Sequence, residues 1–368
     1  MTTRIVVAAA ALLACAPRGA GPSSDAATPA APAAQQVVSA VRQFITDTLR
    51  ALGAPGAAIC VVQDGRTAWS AGIGMADLEQ RVPVTTTTKF RVGSVSKALT
   101  AVALGRLHEM GRLDWDAPVQ SYVPAFPVKR FPITVRQLAG HLAGIRHYQP
   151  GEFENQKHYA TVTEGLTIFA RDSLLFEPGT EFGYSSYGYN LLSAVIEGAS
   201  GEPYLKFMTE QVFKPAGMVH TVAEQMDSII PERGRYYTRS DSTGLVVNAP
   251  FVDNSYKWAS GGFLSTAEDL ARFGQQLLEG RILRPETLDL LWTSMRTADG
   301  QVTDYGIGWS VESDSLGRRR VRHSGGSVGG TAHLIIYPDH ALVVAVLVNS
   351  DYTFTGALSR YAEPFLRR

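Results

Sequence analysis

The chain reads as an α/β protein of the α+β kind: one antiparallel sheet flanked by helices, plus an all-helical lobe. Three observations carry that reading. Two apolar strand-like runs flank Gln63-Asp64-Gly65-Arg66, where Asp-Gly suits a tight hairpin. Strand character returns near the C-terminus at Gly306 to Glu312, Arg319 to Ser324, Thr331 to Tyr337 and Leu342 to Asn349. Between them, roughly over residues 113–300, loops alternate with helical patterns and strand signals are few. Both chain ends therefore supply the sheet, and the middle supplies the second lobe.

The N-terminus comes first in order. Arg4 precedes ten apolar residues, Ile5 to Ala14, too few to span a bilayer and suited to the core of a secretory signal. Leu12-Leu13-Ala14-Cys15 resembles a bacterial lipobox. Residues 1–15 are thus read as a signal ending at a lipidated Cys15, which places the protein on the periplasmic side of a bacterial membrane, anchored by lipid. A plain signal peptide cut within Ala14 to Ala20 is the alternative. Residues 16–36, rich in Ala and Pro, cannot form a core and read as a flexible tether. The remaining 37–368 is long enough to bury a large core in two lobes around one site.

Val37 to Leu52 has helical periodicity and ends at Gly53-Ala54-Pro55-Gly56. Cys60 falls inside the apolar run Ala57 to Val62, as a buried strand residue, and two cysteines make no disulfide framework. A helix opens at Ser94, runs to about Met110 and stops at Gly111. Thr134 and Ser265 are helix caps, the latter in the capping box Ser265-Thr266-Ala267-Glu268. A last helix is expected around Gly356 to Arg367. Lys plus Arg equals Asp plus Glu at 34 each, so no basic surface points to nucleic acid.

Chemistry concentrates in three segments. Ser94 and Lys97 lie three residues apart at the head of a helix, after Gly93. Positions i and i+3 share a helix face, so the amine reaches the hydroxyl, which lies at the positive end of the helix dipole. A serine hydroxyl is a poor nucleophile until a neighbouring base takes its proton. Ser-x-x-Lys supplies that base and is the nucleophile motif of penicillin-binding proteins and serine beta-lactamases. The second segment, Phe182-Gly183-Tyr184-Ser185-Ser186, precedes a clear helix. The third, His323-Ser324-Gly325-Gly326, ends a strand with two glycines.

In this order and at these separations, the three motifs resemble the class C beta-lactamase and D-alanyl-D-alanine carboxypeptidase type of serine hydrolase, peptidase family S12. The similarity is nearest to its mitochondrial serine beta-lactamase-like branch, through Gly144-Ile145-Arg146-His147-Tyr148, Leu174 to Gly179, and Val252 to Thr266. It spans roughly residues 37–368. The resemblance implies a beta-lactamase/penicillin-binding-protein transpeptidase-like fold with the site in a cleft between lobes. It makes Ser94 the acylated nucleophile and Tyr184 the partner that shares a proton with Lys97. Which of the two is the base stays open, because strongly coupled groups titrate as a unit. Ser186 stands where the family usually carries asparagine, and a hydroxyl makes fewer bonds to a substrate carbonyl. His323 replaces a lysine whose permanent charge binds a substrate carboxylate; a neutral imidazole implies weak carboxylate recognition. Gly325 and Gly326 let the strand edge approach, and the backbone N–H groups of Ser94 and Gly326 are the candidate oxyanion hole.

Other features are read as structural. Gly325-Gly326-Ser327-Val328-Gly329 matches the nucleophile elbow of another hydrolase fold, but no helix follows the serine, so Ser327 is assigned to a loop. Tyr187 and Tyr189 are core aromatics, and His141 is a helix-end histidine. Arg146, His147 and Tyr148 are weaker candidates for lining the cleft. The eight histidines show no metal-binding spacing, and no metal or other cofactor is expected. The expected function is hydrolysis of a peptide or ester substrate through an acyl-enzyme, with peptides favoured. The rivals are a beta-lactamase or D,D-carboxypeptidase, and a silent scaffold or sensor capable of self-assembly.

Overall fold

The computed structural model describes residues 32–351 and 363–366. Cys15, most of the tether and most of the expected last helix lie outside them. The first helix, α1, spans Pro32–Leu52 and so begins inside the stretch read as tether. Proline suits a helix start, where its missing N–H would have no partner.

Strands β1 (Gly56–Gln63) and β2 (Arg66–Asp77) form the expected hairpin. Asp64 and Gly65 turn it with φ of 51° and 75°, the two positive values that a tight hairpin turn requires. A short β3 (Val82–Pro83) borders β2. Helix α2 (Val95–Glu109) follows, with Ser94 at its N-terminal boundary, where the side chain makes no capping bond, and it ends before Gly111. Helices α3 (Ser186–Ser200) and α4 (Ala267–Leu278) are the longest of the later ones. The C-terminal strands are β4 (Ser310–Ser313), β5 (Arg319–Ser327), β6 (Gly330–Tyr337) and β7 (Leu342–Val348). Their antiparallel sheet runs β3-β2-β1-β7-β6-β5-β4, with β1 and β7 joining the two ends of the chain.

Both faces of this sheet are covered, which is why its central strands read as unbroken apolar runs. Along β1, Ala58, Cys60 and Val62 enter the main core with α2 and α4. The alternate residues Ala57, Ile59 and Val61 pack with Val41, Ile45 and Leu49 of α1 and with Phe365 and Leu366. Burial raises the Cys60 thiol to about 12 and keeps it a thiol. Helix α2 is buried nearly all round, Ser96, Lys97 and Thr100 included.

Four expectations need correction. The 113–300 stretch is not all helical: Phe263–Ser265 pairs with both Phe90–Arg91 and Val222–Ala223, and Tyr237–Arg239 pairs with Val246–Asn248. These strands are too short to carry a pattern. The strand expected from Gly306 begins only at Ser310, because Gly308 takes a positive φ of 78° to pack its backbone on α2. Ser265 ends a strand, and Thr266 is the cap of α4, its Oγ1 accepting from the Asp269 N–H at 3.0 Å. Ser327 closes strand β5 rather than sitting in a loop.

Candidate active site

Gly93 sets up the first part of the site. Its φ of 48° turns the chain into α2, and a Cβ there would come within 2.5 Å of the Gly326 carbonyl oxygen. A Cβ on Gly325 would run into the Val92 carbonyl and approach the Ser94 nitrogen to 3.0 Å. The head of α2 and the edge of β5 therefore meet backbone to backbone. This brings the Ser94 N–H beside the end of β5 where Gly326 lies. Gly326 itself is open, with nothing within 4 Å of an added Cβ.

Ser94 is partly exposed, whereas Lys97 is completely buried one turn in. Lys97 Nζ lies 2.9 Å from Ser94 Oγ, 3.1 Å from Ser186 Oγ and 2.9 Å from the Ser260 carbonyl oxygen. Burial, helped by repulsion from Lys257, holds the Lys97 amine well below its ordinary value. Tyr184 is pushed the other way by burial, an effect opposed by its side-chain hydrogen bond with Ser94. Its ring centroid lies 4.9 Å from Lys97 Nζ. The hydroxyl, amine and phenol from two motifs 90 residues apart thus share one cluster.

The third motif divides. Gly325 and Gly326 border Ser94, but the His323 side chain is buried and engaged at both nitrogens. Its Nδ1–H donates to the Ser324 carbonyl at 2.6 Å, and Nε2 accepts from the Tyr305 hydroxyl at 3.0 Å. Burial, then repulsion from Lys97, lowers His323 to about 3, so it is neutral. With neither nitrogen free, His323 orients Tyr305 and makes no contact available to substrate.

The loop after His141 supplies the remaining wall. His141 packs its ring 4.3 Å from that of Tyr184 and accepts from the Ser185 N–H at 3.1 Å. Ser185 caps α3 and ties the loop down by donating to the Arg146 carbonyl at 2.7 Å. Arg146 is held by Glu152 and Asp172. His147 accepts from the Ser186 N–H at 3.2 Å, and the Tyr148 phenol bonds with the Ser186 and Ser260 side chains. Tyr187 and Tyr189 are core residues of α3, Tyr187 stacking on Phe169 with ring centroids 4.6 Å apart. Lys257 and Ser260 fall in the Val252 to Thr266 stretch that carried the resemblance but were given no role from the sequence, and Tyr305 was not singled out. They act through a carbonyl or through neighbours remote in the chain, and no local spacing marks them. Among the described residues no His, Cys, Asp and Glu side chains cluster to hold a metal ion.

This fold and this cluster define a class. The beta-lactamase family model matches residues 41–364, and the chain belongs to that family of serine hydrolases. It is 33% identical to the mitochondrial serine beta-lactamase-like protein LACTB of Mus musculus, over 85% of this chain and 75% of that one. The structure of an octameric penicillin-binding protein homologue from Pyrococcus abyssi superposes with a TM-score of 0.79 at 28% identity, over 89% of this chain and 77% of that one. A D-stereospecific amidohydrolase from Streptomyces sp. gives 0.74 at 27% identity, over 88% and 98%. The expected bacterial periplasmic, lipid-anchored location is corrected by the first of these. The serine beta-lactamase-like relatives are mitochondrial proteins, and the lipobox reading rested on a short pattern at Cys15 alone.

Proposed function

We propose that the protein hydrolyses amide bonds of peptides through an acyl-enzyme on Ser94, with esters as secondary substrates. The observation that carries this is the 2.9 Å approach of the fully buried Lys97 amine to Ser94 Oγ. A neutral amine has two N–H groups and one lone pair. The Ser260 carbonyl can only accept, and Ser186 Oγ takes the second N–H, which leaves the lone pair for the Ser94 O–H. Burial thus makes Lys97 the base and keeps Tyr184 a neutral phenol, able to pass a proton to the leaving nitrogen. The Ser94 and Gly326 N–H groups would receive the oxyanion.

Neutral His323, bonded at both nitrogens, favours peptides and esters over substrates that need a cation for a terminal carboxylate. The amidohydrolase among the similar structures supports amide chemistry. A fluorophosphonate probe is expected to label Ser94 alone. Ser94→Ala should abolish labelling and lower turnover of a peptide library by roughly a million-fold, the scale of nucleophile removal in serine hydrolases. Labelling elsewhere, or turnover surviving in that variant, would sink the reading. Rapid nitrocefin turnover would favour the rival beta-lactamase reading instead.

A further inference from the structure

Lys257 is a second buried amine beside the site, and the chemistry above does not use it. It is only 2% exposed. Its Nζ donates to the Phe153 carbonyl at 3.3 Å and lies 4.4, 5.2 and 5.8 Å from the ring centroids of Phe153, Tyr256 and Tyr148. Among the described residues no carboxylate forms an ion pair with it. The acid facing it, Glu224, is gripped by Arg91 Nε at 2.8 and 3.0 Å and by Asn254 Nδ2 at 2.5 Å. Arg91 adds a further positive charge on that side. From the loop, Glu152 is occupied by Arg146, and on Lys257's own segment Asp253 is paired with His158. From α2 comes Lys97.

A buried amine with cation–π contacts and one carbonyl, but no counter-ion, is expensive, and such charges gather at functional sites. The connection to Lys97 is short. Ser260, three residues after Lys257, accepts from Lys97 Nζ through its carbonyl, and its Oγ donates to the Lys257 carbonyl at 3.4 Å. Repulsion between the two amines adds to burial in lowering Lys97, and burial and Arg91 bring Lys257 itself down to about 7.

We propose that Lys257 is a positioning residue for the reaction at Ser94: its caged charge disfavours a second cation at Lys97 and so keeps that amine in its basic form. This rests on the reading of Lys97 as the base. The test is the pH profile of kcat/KM, with the rate of fluorophosphonate labelling as a parallel readout, for wild type, Lys257→Met and Lys257→Arg. In the Met variant the acid limb is expected to move up by roughly one pH unit, a tenfold loss of rate on that limb. Arginine, a fixed cation, should hold the limb at or below its wild-type position. The Met variant should be as heat-stable as the wild type or more so, since an unpaired buried charge has gone.

A limb that stays put in Lys257→Met, equal displacement in both variants, or a Met variant that fails to fold would each overturn the proposal. The last would make Lys257 a structural residue. Absence of Ser94 labelling in the wild type is a separate outcome and strikes at the acyl-enzyme reading instead.

Discussion

Gly325 and Gly326 are neighbours on one strand, yet the site treats them differently. A methyl on Gly325 would strike the Val92 carbonyl and push on the Ser94 nitrogen, so the α2 head would have to shift. Displacements near 1 Å cost such chemistry about a hundredfold, and Gly325→Ala should slow Ser94 labelling by at least that much. A methyl on Gly326 meets no protein atom, so Gly326→Ala should fold as the wild type does and leave the α2 head in place, losing far less labelling than Gly325→Ala. Equal rates in the two variants would show that the backbone contact between β5 and α2 does not position the nucleophile. At this scale the Ser94–Lys97 pair was legible because it is local, a matter of helix geometry over three residues. Tyr184 and Gly326 were reached only through resemblance to a family. The Tyr305–His323 bond was invisible, since nothing near either residue signals the other.

Elements were read well where pattern and turn chemistry agreed, as in the β1–β2 hairpin and α2, and less well at their borders. The capping-box spacing pointed to Ser265, with Glu268 as its partner. In the fold Glu268 accepts instead from the Ser70 hydroxyl at 2.7 Å, Ser265 Oγ is shared with Thr221, and Thr266 takes the cap. Two adjacent hydroxyl residues offered the same local chemistry, and strand pairing through Ser265 decided between them. Thr266→Ala should therefore cost about 1 kcal/mol, seen as a lower melting temperature with unchanged Ser94 labelling. An unchanged melting temperature would mean the cap contributes nothing. The short strands of the 113–300 stretch are tertiary products, pairs of two or three residues without a periodicity of their own.

For the whole molecule, burial of ionisable groups sets the response to pH. His323 and His333 are each lowered from 6.5 to about 3, chiefly by burial. Below pH 6.5 the unfolded chain takes protons that the folded chain refuses, so their contribution is intact above 6.5 and is lost as pH falls toward 3. Lys257, lowered from 10.5 to about 7, acts in the same direction between those values. The urea midpoint should accordingly drop between pH 7 and 4. His333→Leu should flatten that drop, since both His333 ring nitrogens are buried without a hydrogen-bond partner. A drop as steep in the variant would assign acid sensitivity to other groups. By itself the sequence determined the antiparallel sheet drawn from both chain ends, the helix headed by Ser94, and the reach of Lys97 to that hydroxyl. All of these follow from side-chain periodicity, turn residues and three-residue spacing. Only the tertiary structure decided that Lys97 is wholly buried, that His323 is spent on Tyr305, and that a second amine stands behind the first. Desolvation and through-space charge depend on what other segments bring near, and a linear order of residues does not contain that distance.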